Sequence, residues 1–140
     1  VTRIEPEEPS FDPTAWSDED AARHLREGVR LFNAGEYRDA HEEFECIWLS
    51  GARDADFFKG LIQACIALHH FKNGNLEGAA QLHGGHRRYL AAYVPRHRGI
   101  DVSAFLESMQ RTLRPVVRRS PHESPAFDAN TRPRLEFEGG

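Results

Sequence analysis

The residues with the most chemical potential cluster at His41-Glu42-Glu43-Phe44-Glu45. A zincin needs H-E-x-x-H, two histidines one helical turn apart on zinc and a glutamate acting as base. Here the fifth residue is Glu45, so that motif is absent. His41 and Glu45 still share one side of a helix and could supply two metal ligands. His83 and His86, three residues apart in an apolar stripe, could add two more. The four would make a mixed His/carboxylate divalent-metal site of the kind helical bundles build, suited to activating water for hydrolysis. The competing interpretation is structural: His41 hydrogen-bonded to Glu45 or to a neighbouring helix, because buried polar groups need partners. The structural interpretation is preferred, and no cofactor is expected.

Gln63 is a polar residue on a mostly apolar helix, sharing a face with Gly60 and Ala67. The small residues would let another helix approach, and Gln63 is expected to bond to it. Cys46 and Cys65 are too few for a four-thiolate zinc site and form no C-x-x-C pair. They read as reduced apolar residues of a cytoplasmic protein.

Charge is polarised along the chain. Residues 1–70 hold 15 acidic and 7 basic side chains, and residues 71–140 hold 7 and 11, for a net of −4. The basic half (Arg87, Arg88, Arg96 and Arg98 foremost) could hold an anion or RNA. It has few interleaved aromatics, so nucleic acid is disfavoured, and pairing with the acidic half of a second copy fits the polarity better. No run approaches the roughly 20 apolar residues of a membrane helix.

The elements that must position these residues are helical. Ser17 followed by Asp18, Glu19 and Asp20 is an N-terminal cap with a dipole-favoured acidic first turn. Apolar residues then recur at helical spacing to about Phe32, and Gly35 ends the run. Further helices are expected over about 36–49, 54–72, 76–94 (stopped by Pro95) and 101–114. The third is apolar over most of its circumference, which marks a central helix. Trp48 falls on the apolar stripe of the second helix and is expected in the core. Residues 1–16 read as an extended arm, 17–114 as the helical domain and 115–140 as an irregular tail anchored by Phe127, Leu135 and Phe137. Phe32, Gly35 and Ala40 recur as Phe71, Gly74 and Ala79 at an offset of 39. The fold class is therefore all-α: about five helices built from helical hairpins, loosely tetratricopeptide-like.

Three blocks carry a family resemblance: FNAGEYRDAHEEFECIW at 32–48, GLIQ at 60–63 and GNLEGA at 74–79. Together, with Phe32, Asn33, Tyr37, His41, Glu42, Glu45, Trp48, Gln63 and Asn75 among the matching positions, they resemble the bacterial and archaeal family called domain of unknown function 309. The resemblance implies a compact helical bundle and brings no activity with it. The expectation is a binding or scaffolding module, with an unknown protein or a second copy as partner and with His41, Glu42, Glu45 and Gln63 fixing helix packing.

Overall fold

The computed structural model describes residues 17–138. The arm over residues 1–16, with Phe11 and Trp16, lies outside them. The chain forms α1 (Asp18–Asn33), α2 (Tyr37–Leu49), α3 (Ala55–Lys72), α4 (Leu76–Leu90) and α5 (Val102–Val117), with a hairpin of two short strands, β1 (Arg96–His97) and β2 (Ile100–Asp101), before α5. The bundle is all-helical apart from this ribbon. α3 packs between α2 and α4, α1 covers α2, and α5 covers α4. That central place accounts for a helix apolar nearly all round: Phe57, Phe58, Leu61, Ala64, Cys65, Ala67, Leu68 and Phe71 are all buried.

α1 opens with a capping box, in which Asp20 N–H donates to Ser17 Oγ (3.1 Å) and Ser17 N–H donates back to Asp20 (3.0 Å). The internal repeat becomes two equivalent joints. After α1, Gly35 N–H donates to Phe32 O and Glu36 N–H to Leu31 O, both at 2.9 Å. After α3, Gly74 N–H donates to Phe71 O (3.1 Å) and Asn75 N–H to His70 O (2.8 Å). These are Schellman caps, and Gly35 and Gly74 hold the positive φ they require, +82° and +83°. Identical terminations make two hairpins, α1–α2 and α3–α4.

Glycine also sets the helix spacing. A Cβ on Gly28 would sit 2.4 Å from the Phe44 ring, so α1 and α2 approach as closely as a bare backbone allows. A Cβ on Gly60 would meet Leu90 at 2.7 Å, and one on Gly85 would meet Gln63 Oε1 at 2.1 Å. The α3–α4 contact thus closes through glycines from both helices.

Several elements differ from the expected ones. α4 ends at Leu90, with a short 3-10 turn (Ala91–Tyr93) carrying the chain to Pro95. α5 continues through Pro115 to Val117. Trp48 leaves the core: it is 37% exposed, while Phe44 and Ile47 carry the buried side of α2.

The C-terminal segment is tied back to the first joint. Asn33 Nδ2–H donates to Leu135 O (2.9 Å), and Leu135 N–H donates to Asn33 Oδ1 (2.8 Å). The Arg132 guanidinium donates to Asn33 O (2.9 Å). Phe127 packs edge-on to Tyr37 and Phe71, and Leu135 is buried. Asn33→Ala removes both side-chain bonds to Leu135. It is expected to cost about 1–3 kcal/mol and to speed limited proteolysis after residue 118; an unchanged cleavage rate would show that other contacts hold the tail.

Candidate functional site

The motif helix α2 presents two sides. Its inner side carries Tyr37, Ala40, Phe44 and Ile47, all buried. On its outer side His41 Nε2 lies 3.1 Å from Glu45 Oε2, with both side chains partly open to solvent. His41 also lines a depression of about 180 Å3 between α2 and α3, with Tyr37, Arg38, Cys65, Ile66 and His69. No activated nucleophile faces that depression. Burial pushes the Cys65 thiol well above its usual range, and burial, with a smaller opposing effect of Arg132, pushes the Tyr37 phenol up to about 12. A thiol kept protonated in apolar surroundings is inert.

His83 and His86 lie elsewhere. His83 Nδ1 is 3.1 Å from His86 Nε2, and the pair faces α5: His86 stands edge-on to Phe105, and His83 shares a pocket with Arg114 and Arg118. The structure therefore does not join His41 and Glu45 to His83 and His86. Among the described residues no group of three or more His, Cys, Asp or Glu side chains is placed to hold one metal ion.

The other motif residues are placed differently from one another. Asn75 caps α4, its Oδ1 accepting from Gly78 N–H at 3.0 Å. A Cβ on Gly78 would fall 2.7 Å from Asn75 Nδ2, so the Asn-x-x-Gly spacing is the geometry of this cap. Gln63 lies over Gly85 of α4, as close as a side chain and a backbone can come. Its expected hydrogen bond to that helix is missing at Oε1, which is buried and unpartnered among the described residues. Glu42 is exposed.

The four arginines singled out in the basic half do not form one surface. Arg96 pairs with Glu138 (3.1 Å), and Arg98 binds Asp54 through two nitrogens. Arg88 is exposed, Arg87 lines the pocket shared with His83, and Arg98 lines a separate one with Ala22, Leu25 and Phe137. The basic half also places Arg114 of α5 and Arg118 of its cap, one helical turn apart, at the His83 pocket, beside Gln110, which sequence reasoning missed. A cleft of about 560 Å3 runs between α5 and the C-terminal segment and is lined by residues of both charges, among them Asp101, Arg111, Arg132 and Glu136.

Two of the residues left open on α2 are large and apolar. Trp48 (37% exposed) and Leu49 (52% exposed) stand side by side at its C-terminal end, flanked by Glu45 and Glu42.

The fold and these placements define a small helical-hairpin bundle whose signature residues mostly cap and pack helices. Residues 25–82 match the family described as Domain of unknown function (DUF309), and the family resemblance holds over that segment, from α1 into α4. An uncharacterized protein of Aquifex aeolicus (strain VF5) is 32% identical over 96 residues, which cover 65% of this chain. The chain spans 29% of that relative's length. Among the described residues no helix is long and apolar enough to cross a membrane.

Proposed function

We propose that the chain is a binding module without catalysis, and that the Trp48–Leu49 end of α2 is its docking face. The observation that carries this reading is the exposure of a tryptophan and a leucine together at the end of the motif helix. Tryptophan is among the residues that most often anchor protein interfaces. Among the described residues no group of three metal-ligating side chains forms, so a metal-dependent hydrolase has no comparable support. Both cysteines are free thiols, in keeping with a cytoplasmic setting.

The occupant proposed is a second copy of the chain. Glu42 and Glu45 rim the apolar pair, in a half with a balance of −8, while the back half carries +4. An acidic rim around an apolar centre is complemented by an exposed cation on the partner copy, and Arg88 of the same chain is one.

Sedimentation velocity over a range of protein concentrations tests this. The wild type is expected to self-associate, more weakly as salt rises, and Trp48→Ser is expected to abolish association while keeping the helical content. A wild type monomeric throughout, or association unchanged in Trp48→Ser, would contradict the reading.

A further inference from the structure

We propose that the crossing of α4 and α5 is a binding site for a small phosphate-like oxyanion. A pocket of about 170 Å3 lies there, lined by His83 and Arg87 from α4 and by Gln110, Arg114, Val117 and Arg118 from α5 and its cap. It brings three arginines together without a carboxylate in the lining. Most other arginines of the back half are neutralised: Arg96 by Glu138, Arg98 by Asp54, Arg111 by Glu107, Arg119 by Glu77 and Arg134 by Glu136. Arg87, Arg114 and Arg118 have no such partner among the described residues. Three like charges around one pocket repel one another weakly in water, and an anion entering the pocket relieves that repulsion. Guanidiniums match the oxygens of a phosphate with two parallel N–H donors each.

The buried histidine pair completes the donor set. His86 is fully buried and its Nδ1 has no partner. Burial, then His83 and Arg87, hold its pKa down to about 3, and burial followed by Arg87 also lowers that of His83. Both rings are therefore neutral at neutral pH, and one of them must donate in the His83–His86 bond. An orphaned N–H is rarer in proteins than an under-satisfied acceptor. His86 Nε2–H accordingly donates to His83 Nδ1, and the bare Nδ1 of His86 is the unpartnered atom. His83 then carries its proton on Nε2, the nitrogen it has left for a ligand, and can donate it to an anion. Gln110 offers an amide of either polarity.

Size selects the ligand. Pockets for drug-sized molecules run to about 300–1,000 Å3, whereas this one suits a single tetrahedral oxyanion or the phosphoryl end of a small ester. A nucleic-acid backbone would call on the open basic surface, including Arg88, which lies outside the pocket.

Calorimetric titration of the full chain with inorganic phosphate at low chloride tests the site. One saturable site per chain is expected. Arg114→Gln and Arg118→Gln should each weaken binding about tenfold or more, through the loss of a charge-assisted contact. Arg88→Gln and Trp48→Ser should leave it unchanged. The Trp48 variant separates this inference from the docking reading, on which it does not depend. Circular dichroism checks that each variant is folded; Arg114 and Arg118 are exposed. No saturable heat, or an equal loss in Arg88→Gln, would overturn the proposal. Preferential binding of a single-stranded oligonucleotide, with a steep salt dependence, would assign the arginines to a phosphate backbone instead.

Discussion

Phe44→Ala is expected to lower unfolding stability by about 3–5 kcal/mol, as full truncation of a buried aromatic does. Phe44 is 0% exposed, and its ring lies directly against the Gly28 backbone of α1. Gly28 itself has no side chain to fill the space, so a cavity is expected at the α1–α2 contact. Trp48→Ala, four residues on, is expected to cost much less, about 1–2 kcal/mol, since only part of its ring is withdrawn from water. Urea denaturation of the two variants ranks them. A Trp48 cost equal to that of Phe44 would mean that α2 is rotated from the orientation described, and would remove the docking face with it.

Asp54→Asn is expected to cost about 1.5–3 kcal/mol at neutral pH, the range for hydrogen bonds to a charged group. Asp54 sits between two cationic or ring donors from the β1–β2 hairpin. Its carboxylate binds Arg98 at two nitrogens and lies 2.7 Å from His97 Nε2. The hairpin turn needs that hold, because Arg98 adopts φ +48° next to Gly99 at +77°, a left-handed conformation rarely taken by a side-chain-bearing residue. The Arg98 guanidinium also lies over the Phe58 ring, 5.0 Å from its centre. Partial burial by itself would raise the Asp54 pKa, but the hydrogen bonds from Arg98 and His97 and the Arg98 charge outweigh it, and the net displacement is downward. A carboxyl with a lowered folded-state pKa stabilises the fold above its unfolded value of about 3.9 and loses that contribution as pH falls through the folded value. The stability gap between wild type and Asp54→Asn should therefore be full at pH 7 and close as the pH drops below about 4. A gap that persists undiminished at pH 2 would show that the variant acts through packing and not through the charge.

Much of the architecture was legible because it rests on local signals. Ser17 with three acids fixed the start of α1, Gly35 and Gly74 its two equivalent joints, and the all-round apolarity of α3 its central place. The ends of α4 and α5 were harder. Proline at 115 lies in the last turn of α5, where the buried Leu113 and Val116 keep the helix packed past the expected stop. The β1–β2 ribbon, two residues per strand, is too short for alternation to register. Trp48 was misplaced for a geometric reason: the apolar arc of α2 is wider than the surface α1 and α3 cover, so its edge reaches solvent. The basic pocket was half legible. Arg87 and the two histidines stood out on α4, but a pocket formed by two helices needs their mutual rotation. That rotation is set by contacts between the two helices, such as His86 edge-on to Phe105, which no local signal reports.

Amide hydrogen exchange across α2, compared between dilute and concentrated protein, tests the docking face most directly. The account predicts slower exchange on concentration at residues 45–52, together with protection on the basic back half and none on the α4–α5 pocket when phosphate is absent. Exchange at residues 45–52 that is the same at every concentration would contradict it, and would leave Trp48 and Leu49 as surface residues without a partner copy.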